Sequence, residues 1–350
     1  MPSDRLTLAL DLGAVDLPSK GPIGLFTDAL VELPPGLSPD RLRLVTPFWP
    51  VVDRMQSLGV TTASPSDRPP LAASIVRVSR SRAASRLALG QAMAATVPGG
   101  PVLVDGQKTD GIDALLREVR ARAEVPDSFV KHHGRLFWLP ADAALFEDWA
   151  RLVEDWPKAG EFHTAPGGFS ADGPDPASVA LAAALPERLA GRIADLGAGW
   201  GYLAAHVLSR PEVEQVDLVE AHRGALDAAR RNIPDARARF HWADATTWEP
   251  DASVNTVVMN PPFHSGRAAD PSLGQAFLAA AARILQRDGT VWMVANRQLP
   301  YEATIAELFA RQETLPAPAG FKIITAREPR RTSRAAAARS NREAVRDLFR

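Results

Sequence analysis

An apolar run, Val254–Met259, ends in Asn260-Pro261-Pro262-Phe263, and these four residue types in this order suit one kind of chemistry. Each proline fixes its φ and lacks an N–H, and Pro261 keeps Asn260 out of the helical region, so the turn is stiff and offers carbonyls without competing amides. The Asn260 side-chain oxygen and the Pro261 carbonyl can together accept both protons of an exocyclic amine, while Phe263 gives the base that carries it a face to stack on. An aromatic amine is a poor nucleophile because its lone pair is delocalised into the ring. Two acceptors that draw its N–H bonds toward tetrahedral geometry free that pair to attack a sulfonium methyl held in line, through orientation and fixed dipoles and without a covalent intermediate. Standing alone, the motif would equally fit an ordinary turn after a strand.

It does not stand alone. Upstream, Ile193-Ala-Asp-Leu-Gly-Ala-Gly-Trp-Gly201 runs a strand into a glycine turn and then a helix. Gly197, Gly199 and Gly201 let the backbone turn sharply and approach a ligand at the positive end of that helix. A dinucleotide fingerprint would put its third glycine where this chain has Tyr202. Asp195 precedes the loop. Glu220 closes the next strand, 23 residues after Gly197, where a carboxylate can accept two hydrogen bonds from a ribose diol, and Asp244 follows the strand after that, where it can meet an adenine edge. Ligands of open α/β sheets bind at the carboxyl ends of strands, so three acids at successive strand ends make a candidate cofactor site.

The elements that must hold these groups alternate along the second half. We expect helix Ala177–Leu185, strand Arg192–Leu196, helix Tyr202–Ser209, strand Gln215–Val219, helix Arg223–Asn232, strand Ala238–Trp242 and strand Val254–Met259, then helix Gln275–Gln286, strand Thr290–Ala295, helix Tyr301–Gln312 and strand Phe321–Thr325. The first half has the same rhythm, with short apolar runs such as Arg5–Leu10, read as strand-like, between helix-like stretches. An amphipathic run ending at Pro157 marks the division, giving domains 1–157 and 158–326 and a tail 327–350.

Length supports two domains, at roughly 150 residues each, and 46% hydrophobic with 23% charged residues is ordinary globular composition. No Cys is present, which excludes disulfides, Cys-held zinc or iron–sulfur centres and Cys nucleophiles. No apolar run is long enough to span a bilayer, and acids at Asp4, Asp11 and Asp16 do not fit a signal peptide, so the chain reads as cytoplasmic with no membrane partner. Residues 1–157 carry 17 Lys+Arg against 19 Asp+Glu, residues 158–326 carry 15 against 19, and residues 327–350 carry 8 against 3. A basic tail on a mildly acidic body suggests a polyanionic partner.

Together Ala-Asp195-Leu-Gly-Ala-Gly-Trp-Gly, Glu220, Asp244 and Asn260-Pro-Pro-Phe-His resemble a class I S-adenosyl-L-methionine (SAM) methyltransferase of the amino-methylating type. Pro166-Gly-Gly-Phe-Ser170, Val294–Glu302 and Gly320-Phe-Lys-Ile323 resemble the bacterial ribosomal-RNA guanine-N2 methyltransferases, the small-subunit (16S) type above all. The resemblance is close over about 160–326 and loose before it. It implies two tandem Rossmann-like α/β domains, the N-terminal one degenerate and holding RNA, the C-terminal one catalytic. It also implies that Asp195, Gly197 and Gly199 hold the methionine end of SAM, Glu220 its ribose and Asp244 its adenine, and that Asn260, Pro261, Pro262 and Phe263 present the guanine amine. The implied partner is ribosomal RNA or the small subunit, bound by a monomer. Asn255, where the family often has Asp, and Trp200 within the glycine loop depart from the pattern. Methylation of a ring carbon commonly uses a Cys nucleophile and radical methylation a Cys-held cluster, so the missing Cys agrees with direct transfer to nitrogen.

Other readings stay open beside this one. The acceptor is alternatively a large-subunit guanine, a DNA adenine or a protein glutamine, or the chain is an RNA-binding module without activity. Phe169 lies over the cofactor or base, or is core. His264 contacts phosphate, assists proton release, or only closes the turn. The run Arg77, Arg80, Arg82 and Arg86 is a phosphate-contacting patch or a solvated face; Lys322 is an RNA contact or a strand-edge charge. His132-His133 lacks companions at metal-ligand spacing, so no metal is expected.

Overall fold

A computed structural model describes residues 5–33, 36–63, 70–153, 156, 158–165, 168, 170, 173–262, 264–265, 268–269 and 271–330. The chain divides into two units, Met1–Trp156 and Pro157–Arg350. Runs apolar on both faces become the inner strands of largely parallel sheets, and the helical runs between them become the crossovers. The first unit contains α1 (Arg5–Asp11), β1 (Ile23–Phe26), β2 (Leu42–Val45), α2 (Trp49–Ser57), β3 (Thr61–Thr62), β4 (Ala73–Arg77), α3 (Arg82–Ala95), β5 (Pro101–Gln107), α4 (Ile112–Arg120), β6 (Asp127–Lys131), β7 (Gly134–Pro140) and α5 (Glu147–Ala150). The second contains β8 (Lys158–Ala159), β9 (Phe162–His163), α6 (Pro176–Ala184), β10 (Gly191–Leu196), α7 (Tyr202–Leu208), β11 (Val213–Glu220), α8 (Arg223–Asn232), β12 (Ala238–Trp242) and β13 (Val254–Met259). It continues with β14 (His264–Ser265), β15 (Ala268–Ala269), α9 (Pro271–Ile284), β16 (Leu285–Asn296), α10 (Glu302–Leu308), β17 (Phe309–Leu315) and β18 (Phe321–Pro329).

Each unit is built on one seven-stranded mixed sheet, in the order β3-β2-β1-β4-β5-β7-β6 and β12-β11-β10-β13-β16-β18-β17. Counted from the first strand of each sheet, the two orders are identical, so these are tandem Rossmann-like α/β units. In both, the strand order reverses beside the first strand, between β1 and β4 and between β10 and β13. A crevice opens at such a point on the carboxyl side of the sheet. In the second unit Leu196 pairs with both Val219 and Met259, so Gly197, Glu220 and Asn260 leave the sheet at one level. That register is held by burial: Ile193, Leu196, Val216, Leu218, Val257 and Met259 are all fully buried, each contributing about 1.5–3 kcal/mol. The set divides between the two covered faces of the sheet, with Leu196, Val257 and Met259 in one core cluster and Ile193, Val216 and Leu218 in the other, so a slip of one residue would exchange the two and unpack both.

Several elements differ from expectation. Arg5–Leu10 alternates like a strand but forms helix α1, which buries Leu6 and Ala9 on one side and the Arg5 side chain among three acceptors. Its Nε donates to Asp105 Oδ1 at 2.5 Å, and its terminal nitrogens donate to the carbonyls of Lys131 at 2.7 Å and Gly106 at 3.0 Å. The expected helix Tyr301–Gln312 stops at Leu308, where Phe309 turns extended and starts β17, which pairs with β18; sheet pairing overrides the helix propensity of the sequence. The last strand runs past Thr325 to Pro329, with Arg327 opposite Thr290, so the first residues of the expected tail belong to the sheet and 331–350 lie outside the described residues.

The basic run after β4 is a row of ion pairs. Arg77 joins buried Asp105, Arg80 faces Asp110 at 3.5 Å, and Arg82 and Arg86 share Glu118 at 2.5 and 2.7 Å. Lys322 is neither an RNA contact nor an edge charge. It is buried in β18, which is paired on both sides, and its Nζ donates to the Leu299 carbonyl at 2.6 Å and to Glu302 at 2.5 Å. Burial pushes the Glu302 carboxyl up, but the Lys322 hydrogen bond and charge outweigh it and hold the group below its ordinary value. His132 and His133 both have positive φ and make the tight turn between β6 and β7.

Candidate active site

Three glycines follow β10 for three different reasons. A Cβ on Gly201 would meet Ile233 at 2.7 Å and Ala229 at 3.3 Å, so this glycine lets α7 start against α8. A Cβ on Gly197, which has φ +74°, would meet the Phe277 ring at 3.3 Å. Gly199, at φ +56°, has no neighbour within 4 Å of its Cβ position: it needs a left-handed backbone and faces open space, as a ligand-facing glycine does. Ser170, Asp175, Ser178, Gly199, Trp200 and Asn260 are among the residues lining the cleft there.

Glu220, at the end of β11, ties this loop to the next helix. Its Oε2 accepts from the Gly199 amide at 2.8 Å and its Oε1 from the His222 amide at 2.7 Å. Burial raises its pKa, opposed by these main-chain donors. Each carboxylate oxygen keeps one further lone pair, so two hydroxyl protons can still be accepted. Asp195, the last residue but one of β10, is fully buried, and neither of its oxygens has a hydrogen-bond partner among the described residues. Burial pushes its carboxyl up to about 8, with the Glu220 charge adding to the rise. Asp244 Oδ1 accepts from the Thr246 amide at 2.8 Å and hydroxyl at 2.7 Å, which fixes the turn after β12.

On the neighbouring strand, Asn260 is held by its amide nitrogen. Nδ2 donates to Asp175 Oδ2 at 2.8 Å and to Ser178 Oγ at 2.9 Å, leaving Oδ1 buried and without a partner among the described residues. Pro261 is buried and Pro262 exposed. The structure thus brings Asp195, Gly197, Gly199, Glu220 and Asn260 to adjoining strand ends, with Asp244 one strand further. Phe169 and Phe263 lie outside the described residues, as does the His264 side chain. Among the described residues, no three His, Cys, Asp or Glu are grouped to hold a metal, and no helix is long and apolar enough to cross a membrane.

Sequence reading missed Asp175 and Ser178. Their signal was a helix start: Asp175 caps α6, accepting from the Ser178 amide at 3.0 Å, with Pro176 at the first turn. It also missed Asn232, which clamps the segment before α6 to the glycine loop. Its Nδ2 donates to the carbonyls of Trp200 at 2.8 Å and His163 at 2.9 Å, and its Oδ1 accepts from the His163 amide at 2.8 Å. Trp200 completes that clamp, packing 5.0 Å from the Phe162 ring and donating to the Ser170 carbonyl at 3.3 Å. Asn255 stands at the other end of β13, bridging the Arg192 amide at 2.8 Å and Gln286 at 3.2 Å, away from the site.

Residues 159–325 match the family model described as the methyltransferase small domain. The ribosomal RNA small subunit methyltransferase C of Psychromonas ingrahamii is 28% identical over 238 residues, covering 65% of this chain and 68% of the relative. That of Klebsiella pneumoniae is 30% identical over 233 residues, covering 64% and 66%. The ribosomal RNA large subunit methyltransferase G of Streptomyces avermitilis is 33% identical over 138 residues, covering 39% of this chain and 36% of the relative. A solved structure of the T. thermophilus 16S rRNA N2 methyltransferase with AdoMet and guanosine superposes with a TM-score of 0.74 at 23% identity, over 93% of this chain and 92% of that one, a likeness of fold across both units.

Proposed function

We propose, from the match of residues 159–325 to the methyltransferase small domain family, that this chain transfers a methyl group from S-adenosyl-L-methionine to the exocyclic N2 amine of a guanine in small-subunit ribosomal RNA. The observation that carries the reading is the unpaired Asn260 Oδ1 at the strand end beside the Gly197–Gly199 loop. An amine that must give up a proton needs an acceptor there, one strand from the cofactor.

The residues present fit SAM: an open-faced glycine turn at φ +56°, a carboxylate with free lone pairs at the next strand end, and buried acceptors lacking partners. Gly197 and Gly199 would bind its methionine end with Asp195 behind them, Glu220 its ribose and Asp244 its adenine. When bound, SAM supplies an electrophilic methyl on sulfur. The Asn260 oxygen and the Pro261 carbonyl accept the two amine protons and orient the nitrogen lone pair. The methyl would pass directly to that nitrogen as the neutral thioether leaves, and the proton made acidic by methylation would go to solvent.

Relatives named for both ribosomal subunits align, the large-subunit one over a shorter stretch at higher identity. Large-subunit guanine is therefore the second reading. We further infer that the first unit holds RNA without catalysing. By register, Thr27, Thr46 and Arg77 follow β1, β2 and the β4 pairing where Gly197, Glu220 and Asn260 stand in the second unit. Incubating the protein with labelled SAM and small or large subunits from cells lacking it, then analysing nucleosides by mass spectrometry, tests this. N2-methylguanosine in 16S RNA is expected; its absence overturns the reading.

A further inference from the structure

We propose that Asp175 and Ser178 are positioning residues for methyl transfer: they fix the orientation of the Asn260 side-chain amide so that its oxygen, and not its nitrogen, is left for the acceptor amine. The inference rests on the reading of Asn260 as that amine's acceptor.

A carboxamide is nearly symmetric in shape, so nothing in the backbone of the Asn-Pro-Pro turn distinguishes Oδ1 from Nδ2. The chemistry does. With the oxygen free, the site accepts an amine proton; with the nitrogen free, it presents two more donors to a group that is itself a donor, and transfer stops. The structure breaks the symmetry with two acceptors from one helix start. Asp175 Oδ2 at 2.8 Å and Ser178 Oγ at 2.9 Å both take Nδ2. Reversing the amide would press Oδ1 against a carboxylate, a repulsion between two acceptors at hydrogen-bond distance.

The same Oδ2 also accepts the Ser178 amide at 3.0 Å, so Asp175 caps α6 and holds Asn260 with one atom. Capping alone does not call for Asp, because Ser caps as well. Only the longer side chain both caps and reaches Asn260. Ser178 is itself buried, so its hydroxyl is not a solvent-facing accident of the surface.

This double duty allows a clean test. Asp175→Ser keeps the cap and gives up the contact with Asn260, Ser178→Ala removes the second acceptor, and Asp175→Asn keeps an oxygen that can serve both donors. Steady-state methylation, SAM binding by calorimetry and thermal melting are measured on the full chain. For Asp175→Ser combined with Ser178→Ala we expect kcat about 10- to 100-fold lower, the range found where a partner that orients a metal-binding side chain is removed. KM and SAM affinity should stay within about twofold and melting should be unchanged, while Asp175→Asn recovers most of kcat. Added to Asn260→Ala, the same pair should cost nothing further, since the two act through that residue.

Wild-type kcat in the double variant overturns the proposal, as does an equal loss in the Asn260→Ala background or a loss that follows SAM affinity or melting. Ser178→Ala alone, which leaves the cap intact, decides the matter should the double variant not fold. The wild-type arm reports separately on function: methylation of another base refutes the guanine reading while the ratio of kcat values still scores positioning on that base. No transfer by wild type to any acceptor overturns both.

Discussion

The main-chain amide of Gly199 donates to Oε2 of Glu220 at 2.8 Å, so the turn after β10 and the acid closing β11 form one unit before any ligand arrives. Glu220→Gln breaks this on two counts. It removes the charge, and the amide nitrogen it introduces cannot accept from Gly199 or His222. Hydrogen bonds to charged groups contribute about 1.5–3 kcal/mol each, and 1.4 kcal/mol is tenfold in affinity. SAM should bind about 100-fold more weakly by calorimetry, with kcat at saturating SAM within a few-fold of wild type. A change in Kd of less than about threefold would remove Glu220 from the cofactor site.

Asn260→Ala should separate binding from chemistry in the opposite sense. Among the described residues the Asn260 side chain hydrogen-bonds to Asp175 and Ser178, and to neither the glycine loop nor Glu220. Loss of one fixed dipole at a reacting group costs about 10²–10³ in kcat. SAM affinity should remain within about threefold of wild type, and a parallel collapse of both would show that the residue is structural.

Asp195 and Glu220 give the stability of the second unit a definite pH dependence. Both carboxyls are raised by burial, Asp195 from 3.8 to about 8. Between those values the unfolded chain releases the Asp195 proton while the folded chain keeps it, so deprotonation favours unfolding. Stability associated with this group is therefore full below about pH 4 and declines as pH rises toward 8. Melting temperature should fall over that window, and Asp195→Asn, which cannot ionise, should flatten the slope. A melting temperature that rises from pH 5 to 8 with the same slope in the variant would contradict the assignment.

The segment 331–350 carries six Arg against two acids, Glu343 and Asp347. If these charges neutralise phosphates, their removal reduces the number of counterions released on binding. For four net charges on single-stranded RNA the slope of log K against log salt should become shallower by about 3. Deleting 331–350 leaves β18 intact, so methyl transfer at low salt and saturating RNA should persist. Equal slopes for the two proteins would dismiss an electrostatic role.

The parts legible in the sequence were those where local pattern and tertiary demand agree. Asp195 to Gly201 and Asn260 to Pro262 sit at strand ends, where the switch from apolar run to turn residues is visible in one dimension. Tertiary partners were not visible. The strand-like alternation of Arg5–Leu10 gave no sign that Asp105, a hundred residues on, would draw Arg5 into a buried helix. Lys322 looked like a surface charge because Glu302 and the Leu299 carbonyl meet it only once β18 is paired on both sides. Asp175 was readable as the start of a helix, but its hold on Asn260 spans 85 residues and depends on which helix covers that end of the sheet.

Two units with one strand order raise the question of how many cofactors bind, and the strand ends answer it. In the second unit the level above Leu196, Val219 and Met259 holds Gly197, Glu220 and Asn260. In the first, Phe26 pairs with Val45 and Val76, and the next residues are Thr27, Thr46 and Arg77. Thr27 spends its hydroxyl locally, donating to the Ala29 carbonyl at 2.8 Å and accepting its amide at 3.1 Å, so no open glycine turn exists there. Thr46 offers no carboxylate for a ribose. Arg77 pairs with buried Asp105, placing a cation where a sulfonium would have to approach. Calorimetry should therefore give one SAM per chain, and Glu220→Gln should weaken the single isotherm without uncovering a second. A stoichiometry of two, or residual tight binding in that variant, would show that the first unit has kept a site.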